Sequence, residues 1–531
     1  MTRTTPELIE SAARSHGDAV AVYQESGDHA TFAYLNALSN KMAVGLADKG
    51  VQSGDYIGIV FSGSRWIDCA AAYFAVHRLG GIVVLLPHPD FVDRGGTTGG
   101  EISVDFSKLK NFSIIAPEDV HSELPGVAYT GQWIADPCSL IVSTSRGVTR
   151  AGIRPNEIAE IAPTSGTTGR ARAIAASHDN ITFKSRYSIS LLDEFTSNTF
   201  DMPVLLHCSG AFAPRLGDVV HPFRRILPNA NFQTVVVMHR FNPESFCHMV
   251  SRHNVTHSAI TPPQGIALLS SRLGHQADDM SSLQLLEVGD SHCPTSLWPR
   301  LQKTFPSTKL VNTYGISELG PPKFCHVIDV NNLPPLGLVG QGVPCVDKDG
   351  GVFAVPEVRI VKSDGKEAPE GEAGDIWMRC RGMPGREYFQ DKTRQAKVYL
   401  PDEWVVTGDF GYQNSEGQVT LLDRRDDNIV RGLQAISSTE VEDIFYEHSE
   451  VKRVAAFSVP DPVLGEEVAV AVVAHDRRRV KVSELKRFAR ERARHPSRVP
   501  RMIFVVDSLP ENRQGKILKR RLREVLRNQF R

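Results

Sequence analysis

The sequence predicts an α/β protein. We expect a large N-terminal domain of two α/β subdomains plus a β-rich subdomain, followed by a small mobile α+β C-terminal domain. Apolar strand-like segments alternate with helix-like segments over residues 32–89 and again after residue 181, which is typical of a mostly parallel sheet. From about residue 337, short strand-like segments are broken by Gly, Pro and Asp, which indicates antiparallel structure.

In the first α/β stretch, each segment is assigned by its periodicity. YLNALSNKMAVGLADKG and SRWIDCAAAYFAVHRLG have the apolar spacing of helices, whereas DYIGIVFSG and GIVVLLP are apolar runs of strand length. DRGGTTGGE at 93–101 is predicted to be a turn or loop, because glycine dominates it. The second stretch repeats the pattern, with NFQTVVVM, VTHSAITPP and SSLQLLEVGDS as strands and FNPESFCHMVSRHN as a helix.

The remaining elements follow from the same patterns. GGVFAVPEVRIV, GEAGDIWMR and GQVTLLDRRDD are predicted as antiparallel strands. Beyond them, TEVEDIFYEHS and VSELKRFARERA are predicted as helices, and VKRVAAFSVPD and EEVAVAVVAH as strands. The element pattern changes after a cluster of charges, so we place the domain boundary there, with residues 1–425 in the large domain and 426–531 in the small one.

Composition restricts the functional class. Of the 531 residues, 41% are hydrophobic and 23% are charged, as in ordinary globular enzymes. The net charge of -1 argues against a nucleic-acid partner. The last segment is basic, with 22 Lys and Arg against 16 Asp and Glu from residue 426 onward, which fits either a solvated helix face or a docking surface for an acidic partner.

The compartment is predicted from cysteine usage and from apolar runs. The eight cysteines are scattered without a C-x-x-C pair, which favours a reducing environment. The first residues contain acidic side chains and no apolar signal segment, and no run approaches the length of about 18 residues that a membrane span needs. We therefore expect a cytoplasmic protein with no membrane partner.

A first candidate site is the stretch TSGTTGRARAI at residues 164–174. Its glycines and hydroxyl side chains can wrap a phosphate with N–H and O–H donors; they are Thr164, Ser165, Gly166, Thr167, Thr168 and Gly169. The lysine of a P-loop is missing, because Ala171, Arg172 and Ala173 follow instead. Taken alone, this stretch fits either a phosphate site or a plain turn.

Further candidates lie later in the chain. In NTYGISELG at 312–320, Tyr314 could stack on a base, Ser317 could bond a phosphate and Glu318 could hold Mg²⁺, although a plain turn with a surface Glu is equally compatible. In VVTGDFG, the carboxylate of Asp409 could accept both hydroxyls of a ribose. The segment DRRDD contains Arg424, which is a further candidate residue.

Near the end of the chain, Lys516 follows Gly515 in LPENRQGKILKRRL. A lysine in such a loop is ordinarily exposed to solvent unless another domain receives it.

Together these segments resemble the adenylate-forming superfamily of acyl-CoA synthetases, carrier-protein-linked adenylation domains and firefly-type luciferases. The resemblance runs from about residue 32 to residue 523, with the motifs in the family's order. Further matches are ASHDNI, the PP of ITPPQG, EVGDS, VPDPVLGEE and RVPRMIFVVDSLPEN.

The resemblance implies an ATP-dependent carboxylic-acid ligase with ATP and Mg²⁺ as cofactors. A small carboxylic acid would attack ATP to give an acyl-adenylate and pyrophosphate, and a thiol of CoA or of a phosphopantetheinyl carrier protein would then accept the acyl group. The catalytic residues implied are Lys516, Glu318 as the metal ligand, Ser317 and His207. The nucleotide-binding residues implied are Thr164, Ser165, Gly166, Thr167, Thr168, Gly169, Arg172, Gly289, Asp290, Ser291, Asn312, Tyr314, Gly315, Asp409 and Arg424.

The resemblance also implies a moving domain. After the first step, the C-terminal domain would rotate about a hinge at Asp426, withdraw Lys516 and present another face to the active site. Such closure uses a few residues at the end of an element.

The chain departs from the family pattern at three places. Arg172 and Ala173 replace the usual Lys-Gly of the phosphate loop, and Arg keeps the charge without being equivalent to Lys. Leu433 replaces a glycine of the family in a stretch that faces the active site after rotation, although Gly432 stands one position earlier. A leucine there would obstruct the path of a pantetheine arm. Asp423 stands where many members have glycine.

The acid pocket is the part of the site least readable from sequence. By the family pattern it involves residues 202–217, where His207 and Cys208 stand instead of the aspartate that pairs with an α-amino group or the asparagine that many aryl-acid ligases have. An α-amino acid and the common hydroxybenzoates are therefore disfavoured. Fatty, aryl-propenoic and other small carboxylic acids remain open.

Three functions follow from these observations. The first is an acid–thiol ligase. The second is an adenylate-forming enzyme with a non-thiol acceptor, such as an amine, a hydroxyl or nitrite, and Leu433 motivates it. The third is a nucleotide-binding protein without turnover, against which the presence of Glu318, Asp409, Arg424 and Lys516 speaks.

Overall fold

The computed structural model describes fifteen stretches of the chain. They are residues 4–60, 65–86, 104–123, 132–144, 146–148, 152–163, 172–183, 188–189, 204–208, 234–238, 241–270, 279–320, 323–346, 351–511 and 516–530. The predicted loop at 93–101 and the six residues 164–169 of the predicted phosphate loop lie outside them.

The first sheet is built around the alternation that the sequence predicts over 32–89. Seven described strands lie in the order β21-β8-β7-β4-β3-β5-β6, and those from β7 to β6 run parallel. Its strands are β3 (Tyr56–Val60), β4 (Ile82–Leu86), β5 (Ser113–Ile115), β6 (Ile134–Ala135), β7 (Ile158–Pro163), β8 (Ala173–Ser177) and β21 (Glu387–Tyr388). The helices of this part are α1 (Thr5–His16), α2 (Phe32–Asp48), α3 (Trp66–Arg78) and α4 (His178–Phe183).

Local sequence explains these helices. The side chain of Thr4 accepts a hydrogen bond from the backbone of Glu7, whose own carboxylate accepts the Thr4 N–H, and this reciprocal cap begins α1. Every residue of α3 is buried except Asp68, because the helix lies between the sheet and α2. Its run of alanines lets the two helices approach closely.

The second sheet contains thirteen described strands. Their order is β19-β20-β22-β23-β16-β15-β14-β13-β12-β10-β11-β1-β2. They are β1 (Val20–Gln24), β2 (His29–Thr31), β10 (Val204–Cys208), β11 (Thr234–Met238), β12 (His257–Ile260), β13 (Leu285–Gly289), β14 (Lys309–Tyr314), β15 (Phe324–Val327), β16 (Leu338–Gly342), β19 (Pro356–Val361), β20 (Gly374–Cys380), β22 (Val405–Gln413) and β23 (Val419–Arg424). Its helices are α5 (Pro243–His253), α6 (Pro262–Ser270), α7 (Leu297–Thr304) and α8 (Lys392–Val398).

The second sheet is parallel in one part and antiparallel in the other. Strands β1, β11, β10, β12, β13 and β14 are parallel, and from β14 onward the pairings become antiparallel. The β-rich region predicted from residue 337 therefore continues the parallel sheet through hydrogen bonds. The turn that leads into β16 requires glycine at position 337. Gly337 has a left-handed φ of +79°, and a Cβ added there would lie 2.0 Å from the carbonyl oxygen of Leu421.

A small three-stranded sheet has the order β18-β17-β9. It is formed by β9 (Ser188–Ile189), β17 (Cys345–Val346) and β18 (Val352–Ala354). Short 3-10 turns connect other elements at Phe106–Lys108, Glu118–Glu123, Pro137–Leu140, Pro401–Glu403, Arg425–Asp427, Arg477–Arg479, Pro496–Arg498 and Arg527–Gln529.

The C-terminal part forms its own five-stranded sheet. The order is β25-β24-β27-β26, with β28 paired to β27. The strands are β24 (Ile429–Arg431), β25 (Gln434–Ile436), β26 (Val451–Asp461), β27 (Gly465–Ala474) and β28 (Met502–Val505), and the helices are α9 (Ser438–Tyr446), α10 (Val482–Arg492) and α11 (Lys519–Leu526). Helices α9 and α10 bury Phe445 and Leu485 on one face, and α11 buries Leu522 on the other.

In the described part of the chain, no helix combines the length and the apolar content that a bilayer crossing requires.

Candidate functional site

The ends of β13 and β14 bring several predicted residues together. Gly289 is paired with Thr313, and Val288 with Asn312. A Cβ at Gly289 would lie 2.4 Å from Oγ1 of Thr313, so this close approach of the strands requires glycine. Asp290 follows with a left-handed φ of +71°, and Ser291 comes next. The amide of Asn312 donates to the carbonyl of Leu338 at 2.8 Å.

Three residues from separate motifs form one hydrogen-bonded cluster at this edge. The hydroxyl of Tyr314 donates to Oδ2 of Asp409 at 2.6 Å, and Nε of Arg424 donates to Oδ1 of the same carboxylate at 2.8 Å. Asp409 and Arg424 face each other in register on β22 and β23. The buried Asp409 carboxylate raises the pKa of Arg424, and burial raises the pKa of Tyr314.

Lys516 from the C-terminal part reaches this cluster. Burial lowers the pKa of Lys516 to about 8, and the positive charge of Arg424 acts in the same direction, while Asp409 and Asp427 oppose it. The lysine is therefore neither exposed nor distant. It lies in a half-buried position whose charged surroundings come from both sides of the predicted domain boundary.

Glu318 is held by two tyrosines that the sequence did not single out. The hydroxyl of Tyr388 donates to Oε1 of Glu318 at 2.5 Å, and that of Tyr399 donates to the main-chain carbonyl of Glu318 at 3.0 Å. Burial raises the pKa of Tyr388 to about 12, so its hydroxyl keeps the proton that it donates. Of these two tyrosines, Tyr388 sets the direction of the carboxylate, since Tyr399 binds the backbone.

Arg386 joins the turn at 315–320 to the segment that follows the predicted phosphate loop. Its Nη1 donates to the carbonyl of Ser317 at 2.6 Å, and its Nε donates to Oδ1 of Asn180 at 2.7 Å. Gly320 has a φ of +92°, and a Cβ there would meet the guanidinium of Arg386. No pattern in the sequence pointed to Arg386.

The carboxylate of Glu318 suits a metal ion that is bound together with a phosphate-containing substrate. Among the described residues, no group of three or more His, Cys, Asp or Glu side chains could hold a metal ion. Mg²⁺ in phosphate-transferring enzymes is typically held by one or two carboxylates together with substrate phosphates and waters. The single oriented carboxylate of Glu318 fits that arrangement.

Asp423 connects the last strand of the second sheet to the C-terminal helix α9. Its Oδ2 accepts hydrogen bonds from both N and Oγ of Ser438, each at 2.6 Å. Beside this contact, Nζ of Lys519 lies 2.7 Å from Glu442. Burial raises the pKa of both carboxyl groups, Asp423 and Glu442. From the sequence, Asp423 was only a departure from the family pattern, whereas the structure gives it a buried contact across the predicted boundary.

Leu433 stands at the tip of the β24–β25 hairpin. Arg431 pairs with Gln434, so Gly432 and Leu433 form a two-residue turn. Gly432 carries the left-handed φ of +61°, and the side chain of Leu433 is fully exposed. The glycine of this turn has moved by one position relative to the family pattern, and the leucine projects into solvent.

The other predicted residues are placed as follows. Arg172 immediately precedes β8, whose Ile174 pairs with Tyr388. His207 is in β10 and pairs with Ala259, and its side chain is outside the described part. Asp426 lies in the 3-10 turn Arg425–Asp427.

The chain matches two family models and many curated relatives. A family model described as AMP-binding enzyme matches residues 9–386, and one described as AMP-binding enzyme C-terminal domain matches residues 440–516. A curated relative, 4-coumarate–CoA ligase-like 9 of Oryza sativa subsp. japonica, is 25% identical over 548 residues, which span 98% of this chain and 92% of the relative.

Solved structures show the same fold. The o-succinylbenzoate CoA synthetase MenE of Bacillus subtilis, in complex with an acyl-adenylate intermediate, has a TM-score of 0.76 at 22% identity and covers 98% of both chains. The amide bond synthetase McbA of Marinactinospora thermotolerans has a TM-score of 0.75 at 21% identity, over 98% of this chain and 99% of its own.

Proposed function

The chain belongs to the AMP-binding enzymes, the adenylate-forming superfamily, and we propose that it joins a small carboxylic acid to a thiol in two steps. In the first step, a carboxylate oxygen attacks the α-phosphorus of ATP. The bond from that phosphorus to pyrophosphate breaks, which leaves an acyl-adenylate. In the second step, the thiol of CoA or of a phosphopantetheinyl carrier protein attacks the acyl carbon and AMP departs.

The half-buried position of Lys516 beside the Asp409–Arg424 pair is the observation that carries this proposal. With a pKa of about 8, the ammonium is mostly protonated at neutral pH. It donates hydrogen bonds to the carboxylate of the substrate acid and to an α-phosphate oxygen of ATP. Negative charge builds on these oxygens as the bond between the acid and the α-phosphorus forms. Preorganised charge in a buried site typically contributes about 10²-fold or more to rate.

The neighbouring residues bind the nucleotide. Tyr314 lies against the adenine, and Asp409 and Arg424 bind the ribose hydroxyls, so that their present hydrogen bonds rearrange when ATP enters. Glu318 would hold Mg²⁺, and the bound ion would supply positive charge against the phosphates. Tyr388 keeps the Glu318 carboxylate turned toward that position through its 2.5 Å hydrogen bond.

The second step requires the small domain, residues 426–531, to rotate about Asp426. Rotation withdraws Lys516 and breaks the contact between Asp423 and Ser438. The incoming thiol loses its proton and attacks the acyl carbon, and the carbon–oxygen bond to AMP breaks.

A non-thiol acceptor is the second candidate, and Leu433 favours it. The fully exposed leucine at the hairpin tip would occupy space that a pantetheine arm needs after rotation. A small amine, a hydroxyl compound or nitrite needs less room. The fold is shared with an amide bond synthetase, so an amine acceptor is compatible with this architecture.

Two linked assays test these alternatives. ATP–pyrophosphate exchange across a panel of carboxylic acids with Mg²⁺ tests adenylation, and its absence for every acid would support the third reading, a protein without turnover. Accepted acids are then incubated in parallel with CoA, a holo carrier protein and simple amines. Thioester formed stoichiometrically with AMP supports the first candidate, whereas amide formed without thioester supports the second. Leu433→Gly is the matched variant, and a leucine that obstructs the thiol should yield faster thioester formation when replaced.

A further inference from the structure

A second lysine follows Lys516 at the start of the last helix. Lys519 lies three residues further along the chain and begins α11. No motif of the sequence assigns it a role, yet only 9% of its side chain is exposed. Lysine is almost never fully buried unless it is paired, so the groups around its ammonium indicate what it does.

Lys519 is linked to the large domain through a chain of hydrogen bonds. Its Nζ donates to Oγ of Ser438, and that hydroxyl donates to Oδ2 of Asp423 at 2.6 Å. The backbone N–H of Ser438 donates to the same oxygen at 2.6 Å. Lys519 and Ser438 belong to α11 and α9, whereas Asp423 belongs to β23, so the chain of hydrogen bonds crosses the predicted domain boundary.

Within the small domain, Lys519 is held by a carboxylate that is itself fixed. Its Nζ lies 2.7 Å from Oε1 of Glu442, and that oxygen accepts the backbone N–H of Ala456 in β26 at 2.9 Å. Burial alone would lower the pKa of Lys519, but the carboxylates of Glu442 and Asp423 outweigh burial and raise it above its usual value. The ammonium is therefore charged and lies between carboxylates from both sides of the boundary.

The surroundings of Lys519 include the segment that follows β13. Burial lowers the pKa of His292, next to Ser291, to about 4, and the positive charge of Lys519 acts in the same direction. In the same segment, the backbone N–H of Thr295 donates to Oδ1 of Asp443 in α9 at 2.7 Å. The start of α11 and the helix α9 are thus docked together against the large domain.

The short spacing connects these contacts to Lys516. Two residues separate the lysines, and the N–H of the second, Leu518, donates to the carbonyl of Pro510 at 2.8 Å. Anchoring Nζ of Lys519 therefore fixes the backbone from which Lys516 reaches the Asp409–Arg424 pair. Position matters there, because a misplacement of about 1 Å in an active site can cost about 10²-fold in rate.

We propose that Lys519 is a positioning residue, which holds Lys516 in place for the adenylation step. This inference rests on the adenylation function proposed above. The link from Lys519 through Ser438 to Asp423 joins the two domains as they are docked here, and rotation of the small domain breaks it. Lys519 therefore supports the first step and leaves the second step unaffected, without touching ATP or the acid.

The mildest test is Ser438→Ala, with the acid and the acceptor found in the assays above. This variant removes the hydroxyl between Lys519 and Asp423 and keeps the contact of Lys519 with Glu442. We expect kcat for ATP–pyrophosphate exchange to fall about 10-fold, as for a lost hydrogen bond to a charged group, with little change in KM for ATP. Transfer from a chemically prepared acyl-adenylate to the acceptor, which bypasses the first step, should keep its wild-type rate.

A stronger test removes the charge of Lys519. The double variant Lys519→Met with Glu442→Gln removes both charges of the pair and keeps an acceptor for the N–H of Ala456. Its kcat for exchange should fall by about 10-fold or more, since Lys516 is then free to move. Lys519→Arg keeps the charge and should restore most of the exchange activity.

The pH profile of exchange reports the position of Lys516. Burial is the main cause of its lowered pKa, and the positive charges of Arg424 and Lys519 act in the same direction. Asp409 and Asp427 oppose them, and every variant keeps these two carboxylates and Arg424. Removing the charge of Lys519 raises the pKa of Lys516, as does greater exposure to water. Exchange in the double variant should therefore persist to higher pH, whereas Lys519→Arg should keep the fall near pH 8.

The matched control is an ion pair that holds α9 within the small domain. Nε of Arg498 donates to Oε2 of Glu440 at 2.8 Å. Arg498→Met with Glu440→Gln should leave kcat for exchange and its pH profile as in the wild type. Thermal unfolding of every variant verifies that it folds, and Ser438→Ala alone decides if the double variant does not.

The outcomes separate this inference from the proposed function. If Ser438→Ala leaves exchange unchanged, or slows exchange and transfer by the same factor, Lys519 has no positioning role and adenylation still stands. The same holds if the double variant folds and keeps the wild-type pH profile. If the wild-type protein exchanges pyrophosphate with no acid at all, the proposed function fails and this inference fails with it.

Discussion

Lys516 should give the adenylation step a distinctive pH dependence. Burial moves its pKa from 10.5 to about 8, which corresponds to roughly 3 kcal/mol of lost preference for the charged form. The charged form is the active one, so activity is complete below pH 8 and is lost as the pH rises above it. The value of kcat/KM for ATP, which reports the free enzyme, should fall about tenfold per pH unit above the pKa.

Two substitutions separate charge from geometry. Lys516→Arg keeps its charge because the guanidinium pKa exceeds about 12, so it should be slower than wild type but show no fall near pH 8. Lys516→Ala should lose about 10²-fold or more in exchange rate at every pH. Lys481→Ala, at an exposed position of the same domain, is the control and should behave as wild type.

Either of two results would contradict the proposed role of Lys516. One is an exchange rate that Lys516→Ala leaves unchanged. The other is a fall of kcat/KM near pH 8 that Lys516→Arg retains, since the titrating group would then be another residue.

Three further predictions concern the supporting contacts. Tyr388→Phe removes the donor to Glu318 and should raise the Mg²⁺ concentration for half-maximal exchange by about 10-fold, because hydrogen bonds to charged groups contribute about 1.5–3 kcal/mol. Asp423→Ala removes the acceptor of the hydrogen bonds from N and Oγ of Ser438 in α9. It should lower the free energy of unfolding, measured with urea, by about 2 kcal/mol. Gly337→Ala places a Cβ against a carbonyl oxygen at a φ of +79° and should cost about 2 kcal/mol or more.

Matched variants make these three outcomes decisive. Tyr399→Phe removes a hydroxyl that donates to the backbone carbonyl of Glu318 rather than to its carboxylate, so an equal Mg²⁺ effect in both tyrosine variants would contradict the orienting role of Tyr388. Gly365→Ala has a similar φ of +82° but open space around its Cβ, and it should cost less than Gly337→Ala. Asp18→Ala removes a carboxylate in an exposed turn, and a loss of stability as large as that of Asp423→Ala would refute the buried contact.

The sequence predicted the helices, strands and motifs that depend only on residues near one another in the chain. Periodicity located α2, β3, α3 and β4, because each forms from neighbouring residues whose apolar spacing is local. The motifs located Tyr314, Asp409 and Arg424 for the same reason, since each lies in a recognisable short segment. Their mutual hydrogen bonds required the fold.

The missed features depend on contacts between distant segments. Tyr388 and Tyr399 lie 70 and 81 residues from Glu318, and a lone tyrosine carries no pattern. The hydrogen bond from Lys519 to Ser438 also spans 81 residues and is visible only once α9 and α11 are placed against β23.

The position of β1 between β11 and the edge strand β2 has a consequence for synthesis of the chain. This strand pairs with β11, and Oγ1 of Thr234 donates to the carbonyl of Val20 across 214 residues. At about 5–20 residues per second, the ribosome needs about 10–40 s to deliver the partner strand after β1 emerges. During that interval the β1–β2 hairpin presents an open hydrogen-bonding edge, which can pair with another nascent chain. Translation speed between residues 24 and 234 therefore sets how long this chain is exposed to misassembly and to chaperones that cover such edges.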